Sequence, residues 1–391
     1  MISASKVARQ RYRLIPHSVA ISIKDFHLSH ANVAVTTAFI RHEVLPHYLN
    51  DQELPQALIQ PLGNGHINST WQITSQRISL VLQQLNTGVF PAPWALVNNA
   101  AVIAQHLSLP QTAYPLAVTQ PLTTLSGELA VDMGERGFWR AISYIKDSCS
   151  VEQLTSPQQA QQLARAFGQF VAALADLDPD KLQEVIPAFR SLSARLDALQ
   201  QAAATDHLQR LKCCRQWYEF ALAQQALVAE LAEIEPQLPR RICHNDTKSN
   251  NLLFTEDRQH PLAVVDLDTC MPGYLMYDFG DMVRSCCAAV AEDATELQQV
   301  RMLPEYFSAL VAGWQQALGT TMTPVEQQSL WLGIRVVTLM LAVRFLTDYL
   351  DGDRYFRISH PQHNLERAAN QFTLYQQLLA QETVIRAILK T

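Results

Sequence analysis

Apolar and polar positions alternate along Ala57–Asn86 with the two-residue period of a pleated strand, broken around Gly63 and Gly65 and again near Gln76. This pattern predicts three strands, the first two joined by a glycine-bearing loop and the next two by a turn. Trp94, Val97, Ala101 and Ala104 then recur at helical spacing and predict a helix over Pro93–Leu107. Further strands are expected at Leu116–Leu122, Glu128–Met133 and Phe138–Ile145, separated by Ser126-Gly127 and by Gly134–Gly137. A helix is expected near Asn32–Leu49. Ser156-Pro157 is a helix-start pair, and beyond it Leu163, Phe167, Phe170, Val171 and Leu174 share one face of Ala160–Leu177. The Gln/Ala/Leu-rich region Leu192–Leu231 suggests two packed helices, and Tyr277–Val290 and a tail to Leu389 also read as helical. Strands gathered in the first part and helices in the second predict an α+β chain in two lobes.

One stretch interrupts the helices. Ile242–Asp268 places His244, Asp246, Lys248 and Asn251 on a short loop, then an apolar strand at Leu262–Val265, then Asp266 and Asp268. Phosphoryl transfer from a magnesium-bound nucleotide needs this order of groups: an Asp to orient the acceptor hydroxyl and take its proton, then an Asn oxygen and a strand-end Asp to hold metal on the phosphates. Oxygen donors suit Mg²⁺, which needs few protein ligands. Upstream, Gly63 and Gly65 between two strands would let backbone amides approach phosphate oxygens. The third glycine of a G-x-G-x-x-G loop is absent, and Asn68 stands in its place.

Composition narrows the function. A net charge of −6 and a pI near 6.1 over 391 residues, with no basic stripe, argue against nucleic acid as a partner. The seven cysteines include two adjacent pairs and no C-x-x-C, which fits a reducing cytoplasm better than a disulfide framework or a zinc site. No run reads as long and apolar enough for a membrane; the best candidate, Val336–Val343, is bracketed by Arg335 and Arg344 and is expected to be a buried helix. Lys6, Arg9, Arg11 and Arg13 precede any acid but no apolar signal core follows, so a disordered or peripheral extension is expected there.

With these residues in place, the chain resembles the aminoglycoside phosphotransferase and choline kinase superfamily of protein-kinase-like folds, and within it the N-acetylhexosamine 1-kinases. The resemblance runs from about Gln60 to Leu379. It is carried by GNGHIN (Gly63–Asn68), LVLQQLNTGVFP (Leu80–Pro91), HNDTKSNN (His244–Asn251), VVDLDTCMPGYLMYDFGD (Val264–Asp281) and RFLTDYLDGDRYF (Arg344–Phe356). It implies a small antiparallel-sheet N-lobe over 51–147 after an N-terminal extension and helix (1–50), and a larger, mainly helical C-lobe over 148–391. It implies ATP-dependent phosphorylation of the anomeric hydroxyl of GlcNAc or GalNAc, a small-molecule sugar substrate; a monomer is expected. Asp246 would be the catalytic base and Lys248 would neutralise the transferring phosphoryl group. Asn251 and Asp266 would bind Mg²⁺, with Asp268 nearby, either supporting a ligand or serving as an auxiliary one. Gly63, Gly65, Asn68, Gln83 and Tyr144 would line the ATP site, the last at the inter-lobe link. Arg344, Tyr355 and His66 would meet the sugar, with Asp281 and Arg284 as further candidates, while His244 and Asp278 would buttress the loop.

One departure matters. Protein-kinase-like enzymes carry a Lys in the third strand paired to a Glu on the next helix, whereas here the strand offers Gln83 and the helix Asn98 or Asn99. A neutral amide can hydrogen-bond a phosphate but supplies no Coulombic attraction. Three functions stay open: the hexosamine kinase, a kinase of another small alcohol or aminosugar, and a non-catalytic nucleotide-binding module. For the sugar-side residues the plain alternative is an Arg344–Asp348 ion pair across one helical turn.

Overall fold

A computed structural model describes residues 35–63, 67–319 and 321–390. The basic N-terminal extension, Gly65 and His66 lie outside the described residues. Thr36 caps a short helical stretch, α1 (Thr37–Phe39), which continues as a wide turn over Ile40–Val44 and a tight one over Leu45–His47. It is less regular than the single helix expected there. Ile40, Val44 and Leu45 pack it against one face of a sheet, among Trp71, Ile73, Leu80, Leu82 and Trp139.

That sheet is antiparallel. It contains β1 (Leu58–Pro61), β2 (Ser69–Thr74), β3 (Ser79–Leu85), β4 (Pro121–Leu122), β5 (Val131–Asp132) and β6 (Phe138–Ser143) in the order β1-β2-β3-β6-β4, with β5 also on β6. The expected strands at Leu116–Leu122 and Glu128–Met133 shrink to two residues each, because both must share one edge of β6. The chain before β4 is drawn away instead: the Ala117 amide bonds the Leu262 carbonyl at 2.8 Å. Helix α2 (Pro93–Leu107) follows β3 as expected.

The second lobe begins with β7 (Ser148–Ser150) and α3 (Pro157–Ala173), whose Ser156 cap accepts from the Gln159 amide. Three helices, not two, fill the Gln/Ala/Leu-rich region: α4 (Leu192–Thr205), α5 (Leu211–Leu222) and α6 (Gln225–Ile234). Asp206 ends α4 in the left-handed region, and its carboxylate accepts the amides of Arg210 and Leu211 that open α5. Four short strands then frame the polar loop: β8 (Arg241–Cys243), β9 (Leu252–Thr255), β10 (Pro261–Val264) and β11 (Met271–Gly273). Helices α7 (Leu275–Cys286), α8 (Pro304–Leu318), α9 (Pro324–Leu350), α10 (His363–Ala380) and α11 (Glu382–Leu389) complete the lobe.

Helix α9 corrects the expectation that no run is long and apolar enough for a membrane. Its 27 residues meet that standard, with a mean hydropathy of 1.7 in its best window, but 78% of that window is buried inside this fold. A capping box between Thr323 and Glu326 starts it, and Leu332, Val336, Leu339 and Val343 join one core with Leu196, Met276 and Phe372. Helix α7 crosses it at two glycines, Gly280 and Gly333, where a side chain would strike the opposing backbone. This close crossing fixes the height of α7, which carries the carboxylates that organise the polar loop.

Candidate active site

β8 and β11 pair through Cys243 and Met271, so the loop after one strand and the segment before the other emerge side by side. Asp278, in the first turn of α7, accepts the amides of His244 at 2.8 Å and Asn245 at 2.7 Å. Asp281 accepts the Thr247 amide at 3.1 Å, and the Thr247 hydroxyl donates to the Asp278 carbonyl. Asn245 lies in the left-handed region (φ 64), which Asn tolerates and which turns the next side chain outward. His244 is fully buried against Phe167 and Phe170, and burial pushes its pKa down. Its Nε2 donates to the Val265 carbonyl at 2.9 Å and its Nδ1 accepts the Asp246 amide at 3.3 Å. Both ring nitrogens are thus engaged within the loop.

Asp246 receives Lys248 Nζ at 3.0 Å and Asn251 Nδ2 at 2.7 Å on the same oxygen, Oδ2. Oδ1 takes no hydrogen bond from the described residues. Burial works against ionisation here, but the Lys248 ammonium, His244 and the Asn251 amide outweigh it and hold the carboxyl below its ordinary range. Lys248 feels burial as well, yet Asp246 and Asp266 push its pKa up. Asp266 sits in the left-handed region (φ 62), and no described residue donates to its carboxylate. Burial, then Asp268 and Asp246, push its pKa up to about 7. Crowded carboxylates of this kind, with the Asn251 Oδ1 facing no described donor, suit a divalent cation, whose charge would relieve the repulsion. Among the described residues no three His, Cys, Asp or Glu side chains gather at metal-binding spacing, so any cation here would rest on Asp266, the Asn251 amide oxygen and ligands from the nucleotide.

On the nucleotide side Gln83 is tied to its neighbours: its Oε1 accepts from Arg140 Nε at 2.9 Å and Nη2 at 2.7 Å, and its Nε2 donates to Thr70. Arg140 also pairs with Asp268 Oδ1, and Asn68 Nδ2 reaches Asp268 Oδ2 at 2.7 Å. Asp268 thus has one partner on each oxygen, Arg140 on Oδ1 and Asn68 on Oδ2. Neither Asn98 nor Asn99 replaces the missing helix carboxylate; buried Asn99 instead bonds the backbone of Gln183 and Cys270. Gly63 takes a positive φ of 69 at the mouth of the glycine loop, and Tyr144 follows β6 half-buried.

On the far side of Asp246 lies a cavity of about 60 Å³ lined by Asp246, Asp281, Arg190, Arg284, Arg344 and apolar residues of α9. Arg344 packs over the rings of Phe189, Tyr355 and Phe356 at 5.1–5.5 Å, which brings Arg344 and Tyr355 together. The alternative Arg344–Asp348 ion pair is not formed. Asp348 accepts the amides of Arg354, Tyr355 and Phe356 at 2.8, 2.8 and 2.9 Å, and so holds the turn that presents Tyr355. Arg284 bonds Asp281 and Glu292, and Arg190 bonds the Asn245 carbonyl. Burial, then Arg344 and Arg190, push the neighbouring Arg195 guanidinium down to about 10, a sign of crowded positive charge. A larger cavity of about 290 Å³ shares Phe189, Arg190 and Asn245 with it but is lined by none of Asp246, Asn251 or Asp266; of these three the smaller cavity is lined by Asp246. Sequence reasoning missed Arg140 and Arg190. Their placement comes from strand register and a distant loop, and neither stands in a recognisable motif.

Comparison with known proteins agrees with this geometry. The profile of the phosphotransferase enzyme family matches residues 58–318. Among solved structures, the chain is similar to a microcompartment-associated aminopropanol kinase (TM-score 0.59, 16% identity, covering 89% of this chain and 99% of that one). It is similar also to a choline kinase from Cryptosporidium parvum Iowa II (TM-score 0.57, 12% identity, 91% and 100%). A third is a spectinomycin phosphotransferase solved with ADP and spectinomycin (TM-score 0.52, 11% identity, 83% and 93%). At these identities the likeness is one of fold: a kinase-like α+β architecture in two lobes.

Proposed function

The chain belongs to the phosphotransferase enzyme family, and on that premise we propose that it transfers the γ-phosphoryl group of ATP to the anomeric hydroxyl of an N-acetylhexosamine, GlcNAc or GalNAc. It is a small-molecule kinase of the aminoglycoside phosphotransferase and choline kinase-like superfamily; the acceptor and the roles below are our reading. In it, 51–147 form the nucleotide lobe, 148–391 the lobe with catalytic loop and acceptor pocket, and 1–50 an extension. All seven cysteines are free thiols, in keeping with a reducing cytoplasm.

Asp246 Oδ1 orients the acceptor hydroxyl and receives its proton as the bond to phosphorus forms. A carboxyl held below its usual pKa is a weak base, which suits a loose transition state in which positioning matters more than early proton removal. Lys248, clamped to Asp246, brings a fixed positive charge beside the transferring group. Asn251 Oδ1 and Asp266 would hold Mg²⁺, which neutralises charge on the phosphates when bound.

The observation that carries the acceptor proposal is the charge of the pocket. Three guanidiniums and only two carboxylates line it, and both carboxylates already have cationic partners. A cationic aminoalcohol or aminoglycoside would meet net repulsion there, whereas vicinal hydroxyls and an acetamido carbonyl accept hydrogen bonds from guanidinium, and a sugar face stacks on an aromatic ring such as Tyr355, which packs against Arg344 of the cavity lining. ATP consumption across GlcNAc, GalNAc, choline, ethanolamine, aminopropanol and spectinomycin tests it. Turnover confined to the acetamido sugars is expected, and turnover of an amine with none on either sugar would overturn it.

A further inference from the structure

The missing lysine of the third strand leaves the nucleotide without its usual phosphate-binding cation, yet the sheet brings a charge to the same place. Register sets Gln83 of β3 directly opposite Arg140 of β6. From there the Arg140 side chain, only 6% exposed, reaches Asp268, two residues after Asp266 in the tight turn Leu267–Thr269. A guanidinium has five N–H groups. Nε and both hydrogens of Nη2 account for its bonds to Gln83 and Asp268, and the two on Nη1 donate to no described residue. Asn68, at the end of the glycine loop, closes the arrangement by donating to the other Asp268 oxygen.

We propose that Arg140 binds the phosphates of the nucleotide through Nη1, supplying from β6 the charge that β3 lacks, with Asp268 and Gln83 fixing its orientation. The division of labour matches a Lys–Glu pair: a cation aimed at phosphate and a carboxylate that steers it. Here the cation sits one strand over and the carboxylate belongs to the metal-binding segment, while the amide at position 83 serves as an acceptor for which a lysine could not substitute. A lysine at position 83 beside Arg140 would put two cations side by side, so Gln83 and Arg140 make one unit. The inference rests on the kinase reading but not on the identity of the acceptor.

The test measures binding of ATP, ADP, AMP and adenosine, each with Mg²⁺ and without any acceptor, to the parent chain and to Arg140→Gln. A phosphate contact predicts a loss of about 10- to 100-fold for ATP and ADP, less for AMP, and none for adenosine. The double variant Gln83→Lys/Arg140→Gln should regain part of the ATP affinity, since it returns a cation to the third strand. An equal loss for all four ligands, or no loss for any, would overturn the proposal and leave Arg140 as a clamp between the lobes. Should Arg140→Gln not fold, Arg140→Met, which also removes the charge but keeps much of the side-chain volume, is read on the same four ligands by the same criterion. Because no acceptor is used, a wrong sugar assignment would leave the result unchanged.

Discussion

Gly333→Ala tests how the fold governs the catalytic loop. A methyl group at Gly333 on α9 would lie 2.1 Å from the carbonyl oxygen of Met276 and 2.7 Å from its Cβ, against 3.4 Å for an ordinary contact. The carbonyl belongs to the backbone of α7 and cannot swing aside, so the helices must part by about 1.3 Å. Overpacking of this kind costs about 1–3 kcal/mol, and the better helix propensity of Ala returns at most about 1. A net destabilisation of about 1–2 kcal/mol is expected, read as a lower urea midpoint with an unchanged m-value. The effect on activity should be larger. Displacing α7 by that distance would stretch the Asp278 bonds to His244 and Asn245 from 2.8 and 2.7 Å beyond hydrogen-bonding range. A misplacement of about 1 Å in a catalytic group can cost about 100-fold. Steady-state kinetics should thus show kcat down by about two orders of magnitude, with nucleotide affinity changed little. A variant as stable and as active as the parent would refute the claim that the glycine crossing sets the loop.

Asp246→Asn should lower kcat by two or more orders of magnitude while nucleotide binding stays within a few-fold of the parent, as measured by calorimetry beside steady-state kinetics. Asp266→Asn should weaken Mg²⁺-dependent ATP binding by about tenfold or more, with little effect on metal-free binding. Asp348→Ala removes the acceptor of three backbone amides; about 1–3 kcal/mol of stability should be lost, and the acceptor KM should rise because Tyr355 is no longer held, with the ATP KM unmoved.

The catalytic loop was legible because its groups lie close along the chain: local backbone geometry, fixed by Asp278 and Asp281 one and two turns into α7, carries Asp246, Lys248 and Asn251 to one place. Arg344 and Tyr355 were legible for the same reason, since a single carboxylate, Asp348, folds their segment back on itself. What failed was long-range. The pairing of β6 with β3 is a crossover in sequence order, so nothing near Gln83 announces Arg140. Arg190 comes from the loop before α4, and its role depends on contacts with Asn245 that spacing cannot show. Strand lengths in β4 and β5 failed because two segments compete for one edge of β6, and the helix count failed because a run of uniform composition is broken twice, at left-handed Asp206 and again at Ala223–Gln224.

In the proposed reaction the Asp246 carboxylate presents an anomeric hydroxyl to the γ-phosphate of ATP. Incubating the enzyme with ATP, Mg²⁺ and GlcNAc or GalNAc and recording the ³¹P–¹H coupling of the product examines that atom directly. The account predicts a phosphate coupled to the sugar H1, on a product that no longer reduces copper; a phosphate coupled to H3 or H6, or one found only on an amino alcohol, would contradict it.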